Sequence, residues 1–230
     1  MELSLVIPCY NEEKNLPALI NRCAPLSQFE HIEVLFVNNG SLDGSAEVFS
    51  DLLAPYSNFH CISIETNEGY GNGILVGLRH AKGRILSWTH ADMQCDPLDA
   101  LIGYKYFDGR DDNVFVKGLR YGRPVADVFF SFCMGIFETM LLRTKLWDIN
   151  AQPTMFSRSL FESLNQPPTD FSLDLFVYYQ AKLNGAKVYK FPVQFGERAF
   201  GSSSWNVDWR SKWKFIKRTI TFSLKLRKRV

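Results

Sequence analysis

Apolar runs and polar breaks alternate regularly along the first part of the chain. LSLVIPCY (3–10), HIEVLFVNNG (31–40), FHCISIE (59–65) and RILSWTH (84–90) are short, β-branched runs, each closed by polar residues. That is the pattern of buried strands. Between the first two, Leu16, Leu19, Ile20 and Cys23 recur at helical spacing and predict a helix over 12–26, with Asn11 as its N-cap. SLDGSAEVFSDLL predicts a second helix, and ILVGLRHAKG a third after the Gly-rich turn TNEGYGNG. Strands and helices alternating in units of roughly 30 residues predict parallel βαβ connections and an α/β sheet. Ligands of such sheets sit beyond the carboxyl ends of the strands. The polar clusters at 9–12, 38–41, 66–69 and 90–94 fall at those ends and predict one shared cleft.

The second half is less regular. VFVKGLRYGRP (114–124) predicts a strand and a basic turn, and ADVFFSFCMGIFETMLL (126–142) a very apolar helix. Ser131 and Glu138 interrupt that helix, and no run reaches the roughly 18 apolar residues of a membrane span. FSLDLFVYYQAKLNG predicts a helix, KVYKFPVQF (187–195) a strand and ERAFGSSSW a Gly/Ser turn. Near the end, Trp209, Trp213, Ile216, Ile220 and Leu224 form one helical stripe, with Arg210, Lys214, Lys217 and Arg218 on the opposite face. A basic amphipathic helix with tryptophans suits a membrane interface.

Composition narrows the class. The 230 residues are 46% hydrophobic and 22% charged, which excludes a disordered chain, a collagen and a coiled coil. The length suits one larger domain with an appendage, divided here as 1–206 and 207–230. Five cysteines without a C-x-x-C pair argue against a disulfide scaffold or structural zinc, and fit the reducing cytosol. MELSLVIPCYNEE lacks the basic region and cleavage site of a signal peptide. The net charge of +2 conceals an asymmetry: all 24 acidic residues lie at or before Asp208, and nine of the 26 basic ones lie after it. The basic end is expected to meet an anionic membrane surface. Nucleic acid is not expected, because no aromatic-lined reading surface accompanies the charge.

Three turns carry candidate chemistry. Asp92 and Gln94, two apart at an extended strand end, can both face a ligand. A carboxylate, an amide oxygen and substrate phosphates suit Mg²⁺ or Mn²⁺. Alternatively, Asp92 or Asp96 only caps the next helix. Asn38 and Asn39 could hold a ribose or base through their amides, or simply open a helix. The glycines at 69–73 could cradle phosphate with backbone N–H groups, but they lack the P-loop lysine and the G-x-G-x-x-G spacing.

Taken in order, PCYNEE, VNNGSLDGS, NEGYGNGILVGL and HADMQCDP resemble the motifs of glycosyltransferase family 2. VKGLRYGRP, DINAQPTMFSR and FPVQFGERAFGSSSW extend the likeness toward its dolichyl- and polyprenyl-phosphate sugar transferases, from about residue 2 to about residue 205. The resemblance implies a single nucleotide-sugar-binding α/β domain of glycosyltransferase A type, with a mostly parallel central sheet. Pro8, Tyr10 and Glu12 match the motif that contacts base and ribose, and Asn38 and Asn39 match its paired aspartates. Asn67 and Gly73 fall in the third donor-binding stretch. His90-Ala91-Asp92 matches the D-x-D metal motif, with Gln94 at a further ligand position. Arg120 and Arg198 match basic positions near the reacting phosphates.

Asn38, Asn39 and His90 replace three aspartates of that pattern. The lost charge implies a metal that binds weakly alone and well together with the donor's diphosphate. His90 is either a ligand, which suits Mn²⁺ better than Mg²⁺, or a hydrogen-bond partner of a phosphate. The implied reaction is metal-dependent, inverting transfer from a nucleotide-diphosphate sugar. A polyprenyl phosphate acceptor is already an oxyanion and needs only cations to position it, with Arg120, Arg123 and Arg198 as candidates. A hydroxyl of a glycan or glycolipid would need a base. Asp170 and Asp174 are four apart on a predicted helix, and Asp174 is the candidate. A third reading is a non-catalytic module that binds nucleotide sugar or membrane. The expected location is cytoplasmic, peripheral on the cytoplasmic face of the membrane.

Overall fold

The computed structural model of the chain describes residues 1–107, 113–196, 198 and 209–228, with side chains of 213 and 216–228 in the last segment. Seven strands make one sheet: β1 (Leu3–Cys9), β2 (Ile32–Asn39), β3 (Phe59–Ile64), β4 (Ile85–Trp88), β5 (Val114–Tyr121), β6 (Thr154–Ser157) and β7 (Lys187–Gln194). They lie in the order β3-β2-β1-β4-β6-β5-β7. All pairings are parallel except those of β6, which runs antiparallel to both neighbours. The carboxyl ends of β1 to β5 and of β7 therefore meet at one edge, together with the amino end of β6.

Strand alternation sorts the core into two layers. Leu3, Leu5 and Ile7 of β1 pack with Val34 and Phe36 toward helices α1 (Leu16–Cys23), α2 (Ser45–Leu53) and α4 (Asp99–Tyr104). Val6, Leu35 and Val37 face the other way, toward α3 (Tyr70–His80), α6 (Arg158–Ser163) and α7 (Leu173–Leu183). All eight residues of β2 are buried, as expected of a parallel strand covered on both faces.

Two local expectations are corrected. The first helix starts at Leu16, with Asn15 as N-cap and a proline at its first turn. Asn11 does not cap it. It sits in the left-handed region (φ 54°), and its Oδ1 accepts from Leu42 N at 2.8 Å. Its amide joins the loops after β1 and β2 instead. The helix also tightens into a short 3₁₀ turn over Ala24–Gln28 rather than continuing to 26 as an α-helix.

Helix α5 (Val125–Leu142) is the largest departure. By length and composition it is apolar enough to cross a membrane, against the expectation of a segment too interrupted to do so. Gly135, Glu138 and Leu142 are buried, while Phe129 is 67% and Met140 75% exposed. One face therefore packs on the protein, and Val125, Val128, Phe129, Phe132, Ile136 and Met140 point outward.

Helix α8 (Trp209–Arg227) packs on α5 and shows the same split. Ser223 and Leu226 are buried, and Phe222 meets Phe176 edge-on, at 6.5 Å between ring centroids. Trp213 and Leu224 of the predicted stripe are exposed. Ile216 and Ile220 of the same stripe are half-buried, so the stripe borders the packing face without coinciding with it. The Trp209 side chain lies outside the described residues, as does the Gly/Ser turn apart from Arg198.

Candidate active site

The first and fourth strand ends meet around one arginine. Arg198 Nη2 lies 2.8 Å from Asp92 Oδ2, and its Nε donates to Gln94 Oε1 at 3.1 Å. Gln94 N donates to Asp92 Oδ1 at 3.1 Å, and Gln94 Nε2 donates to the carbonyl of Gly196 at 3.2 Å. Met93 between them is held in the left-handed region (φ 60°), a strained backbone of the kind that gathers at functional sites. Glu12 joins the same cluster. Burial pushes its carboxyl up, the hydrogen bond from Asn15 works against this, and the Asp92 charge adds to the rise. The structure thus brings together Glu12, Asp92, Gln94 and Arg198. Tyr10 stands exposed at the mouth, and Ala91 is buried beneath Asp92.

The glycine turn does not cradle phosphate through open backbone, because another loop fills it. Asn72 N donates to the Thr169 carbonyl at 2.8 Å. A Cβ on Gly69 (φ 118°) would stand 2.6 Å from the Thr169 oxygen, and one on Gly71 2.6 Å from the Asp170 oxygen. The glycines let the 168–170 backbone come close. Asn39 Nδ2 donates to the Gly69 carbonyl at 3.0 Å, and Asn67 Oδ1 accepts from Gly69 N at 2.8 Å. Asn38 Oδ1 accepts from Ser41 N at 3.3 Å. Pro8, Asn39 and Gly73 pack together, since a Cβ on Gly73 would lie 3.0 Å from Asn39 Cγ and 3.3 Å from Pro8 Cβ. The two asparagine side chains therefore brace the floor of the cleft.

His90 is stacked on Tyr70 (5.4 Å between centroids, 22°), and Tyr70 on Phe171 (4.7 Å, 11°). This ladder ties the fourth strand end to α3 and to the start of α7. Tyr70 and Phe171 gave no sequence signal, because stacking partners far apart in the chain carry no spacing rule.

Arg120 and Arg123 converge on Asp148. Arg120 N donates to Asp148 Oδ2 and its Nε to Oδ1, both at 2.9 Å, while Arg123 Nη1 stands 3.8 Å from Oδ1. Burial works against ionising Asp148, but Arg120 outweighs it and holds the carboxyl below its ordinary range. Both guanidinium groups lie over the Phe195 ring, at 5.4 and 5.6 Å.

Asp174, the candidate base for a hydroxyl acceptor, is shut off from solvent. Its residue is 2% exposed, its Oδ1 accepts from Gln152 Nε2 at 2.8 Å, and Lys117 Nζ lies 3.8 Å away. Asp170 does not share its helical face, because α7 begins only at Leu173. It lies 3.6 Å from Arg218 Nε instead.

A cavity of about 60 Å³ opens between α5, α7 and α8. Arg120, Glu138 and the apolar Phe130, Met134 and Leu175 are among its lining residues. Glu138 Oε1 accepts from Ser223 Oγ at 2.7 Å, and burial pushes its carboxyl up to about 7.

Among the described residues no three His, Cys, Asp or Glu side chains stand close enough to hold a metal. The available donors are the Asp92 carboxylate and the Gln94 amide oxygen, hard oxygens that suit Mn²⁺ or Mg²⁺. So sparse a set fits a metal that arrives with phosphate oxygens of its own.

Residues 4–164 match the profile of Glycosyl transferase family 2. The chain belongs to this family. Among curated relatives of this family 2 chain, it is 29% identical over 223 residues to an undecaprenyl-phosphate 4-deoxy-4-formamido-L-arabinose transferase of Enterobacter sp. (strain 638), covering 89% of this chain and 63% of that protein. The corresponding Shewanella sediminis protein is 36% identical over 99 residues, covering 41% of this chain and 30% of the relative. The chain thus spans less than two thirds of the length of these relatives. Its fold is that of a Pyrobaculum calidifontis mannosyltransferase solved with GDP-Man and Mn²⁺ (TM-score 0.65, 19% identity, covering 87% of this chain and 58% of that one). It is also that of Mycobacterium tuberculosis glucosyl-3-phosphoglycerate synthase solved with Mn²⁺, UDP and glucosyl-3-phosphoglycerate (TM-score 0.71, 16% identity, 98% and 79% covered). The glycosyltransferase A-type fold expected of the family 2 motifs is the one observed.

Proposed function

We propose that this chain transfers a sugar from a nucleoside-diphosphate donor to a polyprenyl phosphate at a membrane surface. The observation that carries the reading is that Arg120 lines a small cavity with apolar side chains of α5 and α7, beside helices whose outer faces are apolar. A phosphate on an isoprenoid chain has that division, an anion at one end and hydrocarbon at the other. The names of the curated relatives carry the same acceptor class, undecaprenyl phosphate.

In the reaction the bond from the anomeric carbon to the diphosphate oxygen breaks, and one to an acceptor phosphate oxygen forms on the opposite face. The acceptor oxyanion attacks without losing a proton, so no base is required. Arg120 and Arg123, pre-oriented by Asp148, hold the acceptor phosphate and keep its charge near the sugar. Arg198 and the cleft floor around Pro8, Tyr10, Glu12, Asn38, Asn39, Asn67 and Gly73 bind the donor, with His90 beside its phosphates. Asp92 and Gln94 would hold Mn²⁺ or Mg²⁺, which when bound offsets the charge growing on the leaving diphosphate. A hydroxyl acceptor is disfavoured because its candidate base, Asp174, is buried and bonded to Gln152. The outward rows of α5 and α8, with Lys217, Lys225, Arg227 and Lys228 nearby, suit peripheral attachment to an anionic cytoplasmic membrane face.

Calorimetry with UDP, GDP, dTDP and CMP, in Mn²⁺ and then in EDTA, tests the donor half. Radiolabelled transfer to a short polyprenyl phosphate in vesicles tests the acceptor half. Metal-dependent binding of one nucleotide, followed by a labelled lipid product, is the expected result. Label that reaches only glycan hydroxyls, or donor that binds and is never consumed, would overturn it.

A further inference from the structure

Arg198 occupies the place of a cation. Its guanidinium spans the two oxygens that suit a divalent metal, lying 2.8 Å from Asp92 Oδ2 and donating to Gln94 Oε1 at 3.1 Å. Both acceptors are aimed by other bonds. Gln94 Nε2 is tied to the Gly196 carbonyl, which leaves its oxygen for the arginine, and Asp92 Oδ1 takes the Gln94 backbone N–H. The half-buried Glu12 stands in the same cluster, so its charge and that of Asp92 both favour a positive group there. The ion pair is largely screened from water, with side-chain exposures of 29% for Arg198 and 11% for Asp92.

A hard divalent ion needs those oxygens at about 2.0–2.2 Å and cannot tolerate a guanidinium on the same lone pairs. We infer that Arg198 is a resident stand-in cation that sets the metal affinity of this site. A free metal must displace the guanidinium against the full strength of its ion pair. A metal that comes with a diphosphate offers the displaced guanidinium new oxygens, and bidentate phosphate contacts suit arginine well. Exchange of one anionic partner for another then makes metal and nucleotide binding mutually dependent. This deepens the proposed function and takes from it the identity of the metal-binding oxygens.

Mn²⁺ titrations followed by the electron paramagnetic resonance of the free ion test the inference without any turnover. Wild type, Arg198→Gln, Arg198→Lys and the double variant Arg198→Gln/Asp92→Asn are compared without nucleotide, and again with UDP and with GDP. Circular dichroism checks that each is folded. Without nucleotide, Arg198→Gln is expected to bind Mn²⁺ about tenfold tighter than wild type, the scale of one modest ion pair. Arg198→Lys should fall between, because an ammonium cannot bridge both oxygens, and the double variant should lose the gain. With the nucleotide that wild type accepts, the advantage of Arg198→Gln should vanish or reverse. Equal or weaker Mn²⁺ binding by folded Arg198→Gln, or no Mn²⁺ binding by either protein, would overturn the inference. The nucleotide-free comparison decides it even if no nucleotide binds or no sugar is transferred, so failure of the transferase reading shows up as a separate result.

Discussion

The Lys117 ammonium and the Asp174 carboxylate face each other 3.8 Å apart beneath the cleft, both shut off from water. Lys117 also donates to Thr154 Oγ1 at 2.5 Å, and burial pulls its ammonium down to about 8. Breaking such a pair leaves one charge buried without a counter-charge, which costs about 3–5 kcal/mol. Asp174→Asn should therefore lose stability of that order in urea unfolding at pH 7. Asp174 itself helps to hold the Lys117 ammonium up, so in the variant Lys117 sheds its proton below about 8. The loss should therefore be smaller at pH 8 than at pH 6, with no further change above about 8. Where the variant is still folded, kcat should stay within about tenfold of wild type, against the 10²–10⁴-fold expected of a lost general base. A larger fall in kcat would restore Asp174 as the base.

Glu138 predicts a second pH dependence, of opposite sign. Its carboxyl rises from 4.5 to about 7 on folding, so the folded protein binds the extra proton between those values. The stability this contributes is whole below about 4.5 and is lost as the pH rises through about 7. Glu138→Gln should be nearly neutral at pH 5 and stabilising by up to about 3 kcal/mol at pH 8. Urea unfolding at the two pH values measures the difference. A gain of equal size at both would show that Glu138 does not titrate with folding.

Gly71→Ala sets helix propensity against close approach. Alanine inside α3 should gain up to about 1 kcal/mol. Its Cβ would stand 2.6 Å from the Asp170 oxygen and 2.7 Å from the Thr169 carbonyl carbon, which are backbone atoms that cannot swing aside. Crowding of this kind costs about 1–3 kcal/mol, so a net loss is expected. Near-ultraviolet circular dichroism should change as well, because Tyr70 and Phe171 stack across the same approach. A variant as stable as wild type would mean the loop yields freely.

The outward row of α5 makes a surface prediction. Phe129→Asp and Met140→Asp alter highly exposed side chains and should change folding stability by no more than about 0.5 kcal/mol. Both should weaken binding to vesicles containing anionic lipid in a flotation assay. Added salt should weaken the wild-type protein further, by screening the basic residues of α8. Unchanged flotation of both variants would take α5 out of the membrane contact.

Much of this molecule is written in its local pattern. Short continuous apolar runs with polar ends determine the central strands and the common edge at which Glu12, Asp92 and Gln94 gather. An ordered set of short motifs is enough to place the chain in its family, since turn chemistry at a strand end is decided within a few residues. Partnerships between distant residues are not written there. Asp174 is a helical carboxylate like any other until Lys117 and Gln152 arrive from β5 and the loop before β6. The glycines at 69–73 read equally well as a phosphate cradle until the 168–170 backbone fills them. The stripe of α8 is amphipathic on paper, but Ser223 and Leu226, not Trp213 and Leu224, are the residues it buries. Periodicity shows that a helix has two faces. Which face meets protein is settled only by long-range packing, because the energy of burial depends on what lies opposite.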